Sequence, residues 1–234
     1  MQEITDILKT LDWSPLYISL KTGVVATMLS FFLGIWAASA VMRMGPRRKA
    51  LLDGFLTLPM VLPPTVAGFF LLLIFSKRRP VGLFLYDSFG IKVVQTWLGC
   101  ILAATVIALP LMYRNARAAF EQVDVDLIYA GRTLGMSEQA IFWKIVVPAA
   151  GPGIVSGTIL TFARAMGEYG ATSMLAGNIP GKTATVSQRI AMVIQDGDYL
   201  TAGIWVLIVL LIAFAAIYLM NRVAQKHMKH IRRW

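Results

Sequence analysis

Tyr129-Ala-Gly-Arg-Thr-Leu-Gly135, nine further residues, then Ile145-Val-Val-Pro148 form a polar, helix-forming stretch between two apolar runs. Asp124 and Asp126 are placed to cap a helix starting near Leu127. Gly135 supplies the residue type that ends a helix in a left-handed turn. Ser137 then caps a second helix, with Glu138 favourable at its positive end. That helix runs toward Val147, where Pro148-Ala-Ala-Gly-Pro152 breaks it. The spacing predicts a helix–turn–helix bracket within residues 121–150, stiff enough to carry force into the apolar run that follows.

Outside the bracket the chain is mostly apolar. Of its 234 residues 57% are hydrophobic and 15% charged, a charge fraction low for a soluble domain. Runs long enough to cross a hydrocarbon core recur throughout. They fall at 16–42, 51–75, 93–113, 151–175 and 200–223. The first eleven residues carry Ile4, Ile7, Leu8 and Leu11 at helical spacing, which predicts a short amphipathic surface helix. The expectation is an all-α polytopic membrane protein, one transmembrane domain over 1–234, with about five transmembrane helices plus that N-terminal helix.

Basic residues set the direction. The bracket side holds Arg43, Arg47, Arg48, Lys49, Arg114, Arg117, Arg132 and Lys144, and the tail adds Arg222, Lys226, Lys229, Arg232 and Arg233. The other side holds Lys9, Lys21, Lys77, Arg78, Arg79, Lys92, Lys182 and Arg189. The richer side belongs in the cytoplasm, so the N-terminus is expected outside and the C-terminus inside. The cluster 77–79 runs against the rule. Because the cations sit at span ends, the net charge of +10 does not point to nucleic acid. With Glu3, Asp6 and Asp12 before the first run, a removable signal peptide is not expected. Pro59, Pro63, Pro64 and Pro110 fall within spans and are expected to bend them.

No catalytic site is legible. Gly181-Lys182-Thr183 looks like the end of a phosphate-binding loop, but Ala176 stands where that pattern needs its first glycine. Cys100 lies in an apolar run and has no partner for a disulfide. His227 and His230 sit in a basic tail without further metal ligands. In the fourth span Gly153, Gly157, Thr161, Arg164, Glu168 and Thr172 share one arc of the helix. Gly153 and Gly157 would let a neighbouring helix approach. An unpaired charge at that depth costs at least about 2.5–3.5 kcal/mol, so Arg164 and Glu168, one turn apart, are expected to pair. The stripe Thr161, Arg164, Glu168 and Thr172 either lines a pathway and its gate or locks helix packing.

The bracket resembles the coupling loop of ABC importer permeases. That pattern is Glu-Ala-Ala, three residues, Gly, nine residues, Ile, any residue, Leu, Pro. Tyr129, Ala130, Gly131, Gly135, Ile145, Val147 and Pro148 occupy its positions with the spacing kept. Tyr129, Gly131 and Val147 depart from its Glu, Ala and Leu. Leu58-Pro-Met-Val-Leu-Pro-Pro-Thr-Val-Ala-Gly68, Phe162-Ala-Arg-Ala-Met-Gly-Glu-Tyr-Gly-Ala-Thr172 and Gly177-Asn-Ile-Pro-Gly-Lys-Thr183 resemble the molybdate permeases of that superfamily, which share much with sulfate and tungstate permeases.

The resemblance implies a type I ABC importer permease fold in a bacterial or archaeal cytoplasmic membrane. It implies a homodimer, two cytoplasmic ATPase subunits and an extracytoplasmic oxyanion-binding protein. This chain itself would bind no cofactor, with ATP and Mg at the partner ATPase. Tyr129, Ala130, Gly131, Arg132, Gly135, Ile145 and Pro148 would couple to that ATPase. Asn178, Gly181, Lys182 and Thr183 would face the binding protein. The substrate would be molybdate, or tungstate or sulfate. An ion-driven carrier acting alone would show an internal repeat and coupling-ion ligands, whereas Asp53 and Glu168 are the only acids in the spans. A non-transporting scaffold would leave the charged stripe unexplained.

Overall fold

A computed structural model describes Ile7 and residues 9–231, without the side chains of 220 and 223–231. The predicted N-terminal surface helix lies mostly outside the described residues. Ile7, Lys9 and Thr10 are helical. The side chains of His227 and His230 also lie outside them.

The first span is α1, Ser14–Met42. Its inward face is built from small residues, among them Ser19, Thr22, Gly23, Ala26, Ser30 and Gly34, all buried. Such a face lets helices approach closely, which is how association is won where lipid is as apolar as leucine. The second predicted span is divided into α2, Pro46–Val61, and α3, Pro64–Phe75, bent by 110°. The residue before a proline is driven out of helical backbone, and Leu62 and Pro63 accordingly take ψ values of 143° and 134°. The bend at Pro63-Pro64 is thus far larger than a kink. Pro59 and Pro110, by contrast, lie inside helices that continue through them.

A ten-residue helix, α4 (Pro80–Phe89), follows the 77–79 cluster. It was not expected, being too short to cross, yet its Pro80 start and left-handed Gly90 end are legible signals. Lys77 sits over the Tyr86 ring of that helix. The long α5, Trp97–Glu121, is the central column. Ala103 and Ile107 meet Ala67 and Leu71 of α3, while Met112, Tyr113, Ala116 and Phe120 join a second cluster at the bracket end.

The bracket is α6, Val125–Thr133, and α7, Glu138–Ala149, which turns through 69° into α8, Gly151–Met166. The fourth predicted span breaks at 167–169 and resumes as α9, Gly170–Ala176. A capping box at Thr185 and Gln188 starts the unexpected α10, Val186–Gln195. Finally α11, Tyr199–Ile231, runs along the outside, with Leu207, Leu210, Leu211 and Phe214 exposed as lipid-facing residues would be.

The small residues of α8 let it pack closely on α5. A Cβ built at Gly153 would lie 2.5 Å from Ala119 Cβ, and one at Gly157 2.6 Å from Asn115 Cβ. Gly157→Leu is expected to cost about 1–3 kcal/mol by forcing the helices apart. The check is thermal unfolding of the detergent-purified protein, in which Ser156→Leu at the adjacent, exposed position leaves the transition unchanged.

Candidate functional site

In the bracket, Asp124 caps α6 by accepting a hydrogen bond from the Asp126 N–H at 2.9 Å. The helix ends where Gly135 takes φ +74°. The Gly135 N–H donates to the Arg132 carbonyl at 2.9 Å and the Met136 N–H to the Gly131 carbonyl at 3.1 Å. This pair of bonds closes the helix on its own carbonyls. Ser137 Oγ then accepts from the Ala140 N–H at 3.3 Å to start α7.

Across the turn, Arg132 Nε and Nη2 donate to the two Glu138 oxygens at 2.7 and 3.2 Å. A guanidinium fork on a carboxylate fixes angle as well as distance. The hydrogen bond from Arg132 and its positive charge hold the Glu138 carboxyl below its ordinary value, and Glu138 raises the Arg132 guanidinium in turn.

The bracket is seated on the spans by apolar contacts. Ile141 and Val146 are buried with Val41, Phe120 and Ile154. Phe142 meets Phe120 edge to face at 5.5 Å. Residues Phe142–Val146 form a π-helical turn, in which the Val147 N–H reaches back to the Phe142 carbonyl. The widened turn sits just before Pro148, whose ring would otherwise crowd the carbonyl four residues back. Gly131 is buried, and a Cβ there would lie 2.9 Å from Ile145 Cδ1 and 3.1 Å from Ile141 Cγ1. Its departure from the alanine of the loop pattern therefore brings α6 closer to α7.

The predicted coupling residues divide into two sets. Gly131 and Ile145 face inward, and Arg132 and Gly135 hold the turn. Tyr129, Ala130 and Pro148 are exposed. Sequence reasoning did not single out Leu134, which stands 80% exposed beside the turn. A large apolar side chain at the tip of a water-side loop was its available signal.

The fourth-span residues do not share one environment. Gly153 and Gly157 face α5 of the same chain, and Thr161 continues that face with no exposure. Glu168 is 2% exposed and Thr172 1%. The expected pair is present, with Arg164 Nη1 donating to Glu168 Oε2 at 2.8 Å. Glu168 Oε1 accepts from the Ala171 N–H at 2.7 Å, so the carboxylate also closes the first turn of α9. Of the four predicted pathway residues only Arg164 retains a half-exposed side chain. It adjoins the open face of α8, where Ser156, Leu160, Ala163 and Gly167 are exposed.

At the opposite end, the 177–183 turn places Asn178, Gly181 and Lys182 on the surface. Thr183 is fully buried. Its Oγ1 accepts from the Ile179 N–H at 3.0 Å and donates to the Gly177 carbonyl at 3.4 Å. Thr183 therefore fastens the turn while its neighbours present it. No group of three or more metal-ligating side chains occurs among the described residues.

The described residues thus form a bundle of apolar helices with two broken spans and a polar bracket packed on its core. Residues 30–230 match the family described as binding-protein-dependent transport system inner membrane component, and the chain belongs to it. It is thus a multi-pass inner-membrane protein and a permease component of that transport class. It is 44% identical over 189 residues to the molybdenum transport system permease protein ModB of Escherichia coli K12, covering 81% of this chain and 82% of that one. It is 36% identical over 210 residues to the putative molybdenum transport system permease protein YvgM of Bacillus subtilis, covering 90% and 92%. A bacterial ABC transporter that imports the acidic polysaccharide alginate has the same fold, with a TM-score of 0.76 at 13% identity over 97% of this chain and 83% of that one.

The Arg132–Glu138 link carries a pH signature. Glu138 has a lowered folded-state pKa, so its stabilisation is complete above its ordinary value of 4.5 and disappears as pH falls through the lowered one. The wild type is expected to unfold at a higher temperature than Glu138→Gln at pH 7, and the gap closes at strongly acid pH. Calorimetry across that range checks it.

Proposed function

We propose that two copies of this chain form the membrane path of an ATP-driven importer of molybdate. Two ATPase subunits dock on the bracket from the cytoplasm, and a binding protein delivers the anion to the 177–183 turn. The observation that carries this reading is the rigid seat of the bracket. Capping, the Arg132–Glu138 fork and the Phe142–Phe120 contact leave it no soft joint before α8. The bias of Lys and Arg toward the bracket side supports the cytoplasmic placement. The likeness to molybdenum permeases supports the substrate.

In this reading Tyr129, Ala130 and Leu134 enter a groove on the ATPase, with Arg132 and Gly135 fixing their angle. Tyr129 stands where the loop pattern has Glu, so docking rests on shape more than on charge. ATP closure moves the bracket, the 69° junction passes that motion to α8, and hydrolysis resets it. The anion passes the open face of α8. There Arg164 supplies a positive edge that Glu168 partly neutralises, and an importer fed by a binding protein needs such weak binding so that its cargo can leave.

Gly135→Pro tests the coupling. Proline needs φ near −65°, whereas the turn holds +74°. In liposomes containing permease, ATPase and binding protein, transport is expected to fall about tenfold or more, with basal ATP hydrolysis kept. Gly135→Asn, which tolerates positive φ, retains most of it. Unchanged transport and ATPase stimulation in Gly135→Pro would remove the coupling role.

A further inference from the structure

A cleft between α2 and α5 at the bracket end takes no part in the contacts described so far. It encloses about 420 Å³ and is lined by Asp53, Gly54, Thr57, Arg114, Arg117 and Glu121. Its charges are almost all matched. Arg117 pairs with Asp53 and with Glu121, the latter at 2.9 Å. Lys49 reaches Glu121 at 2.9 Å, and the Tyr113 hydroxyl donates to Asp53. The Thr57 hydroxyl is turned back onto the Asp53 carbonyl at 2.6 Å.

Arg114 is the exception. It lines the same cleft, and among the described residues no carboxylate lies within ion-pair distance of it. Lys49, Arg114 and Arg117 oppose only Asp53 and Glu121, so the cleft carries one surplus positive charge, centred on Arg114. The fixed pairs around it hold α2 against α5 and keep Asp53 and Glu121 from turning to Arg114. A guanidinium with free donors at the edge of a polar cavity suits a tetrahedral oxyanion. Gly54 has nothing within 4 Å of the place a side chain would occupy, so the wall is open there.

We propose that this cleft is an exit-side oxyanion site, with Arg114 as the counter-charge that receives the cargo as it leaves the spans. The proposal rests on the oxyanion-import reading. The site is open and singly charged, so it holds its anion weakly, as a station on the way out must. A phosphate headgroup of an anionic lipid has similar chemistry, and the test separates the two sources.

The experiment uses the permease–ATPase complex in nanodiscs of purely zwitterionic lipid, without binding protein and at low ionic strength. Binding of radiolabelled molybdate and of inorganic phosphate is measured by equilibrium dialysis. Arg114→Gln is expected to weaken both by about tenfold, the size of one partly solvated charge contact. Arg114→Lys keeps part of the affinity, Arg79→Gln at the other end of the bundle changes nothing, and added salt weakens the wild type. Equal binding by the wild type and Arg114→Gln would overturn the proposal. So would Arg114-dependent retention of an anionic lipid, seen by native mass spectrometry, that molybdate does not displace. Arg114-dependent anion binding in a complex that imports no oxyanion would sink the importer reading and leave an anion cleft standing.

Discussion

The Phe142 ring lies edge-on against Phe120, and through that contact a water-exposed loop becomes part of the membrane bundle. An aromatic pair of this geometry adds about 0.5–1.5 kcal/mol beyond its buried area. Its position matters more than its size. Phe120 is the last buried residue of α5, and Phe142 opens the π-helical turn that leads to α8. The Arg43 guanidinium, 5.8 Å from the Phe142 ring, brings the end of α1 to the same point. Three elements therefore converge where an external push would enter.

In the proposed cycle the bundle acts from that point as connected levers. Small residues on α1 and α8 let both sit directly on α5, so there is little soft side-chain volume between them to absorb motion. Farther along, the breaks at Pro63-Pro64 and at 167–169 divide two spans into half-helices that meet each other. A Cβ at Gly68 would lie 2.6 Å from Ala171 Cα, so the restarts of α3 and α9 touch backbone to backbone. Glu168 satisfies one of the amides freed at the second break and orients Arg164 with its other oxygen. Irregular backbone at membrane depth is tolerated only where it is shielded in this way.

The first, third and fifth spans were legible in the sequence because a run of about twenty mostly apolar residues has few other uses. The bracket was legible because Asp124, Gly135 and Ser137 each act through their own local backbone, and local chemistry is what a sequence states most directly. The size of the turn at Pro63-Pro64 was not, since a proline pair announces a break but not its angle. Helical periodicity grouped Gly157 and Thr161 on one face without saying what that face meets. Likewise Thr183 looked available in the 177–183 turn, and only the fold turns its hydroxyl inward to Gly177 and Ile179. Arg114 was counted as one more span-end cation because its lack of an ion-pair partner among the described residues depends on where Asp53 and Glu121 find theirs.

The central claim is that bracket and α8 move as one body. Paired spin labels at Asp126 and Pro152, both exposed, in complexes where one copy of the proposed permease pair is labelled, test it by pulsed distance measurement. The distance distribution is predicted to be narrow and unchanged between the nucleotide-free and ATP-trapped states, while distances between the two copies shift. A distribution that broadens or moves with nucleotide would show a flexible joint between bracket and span and contradict the account.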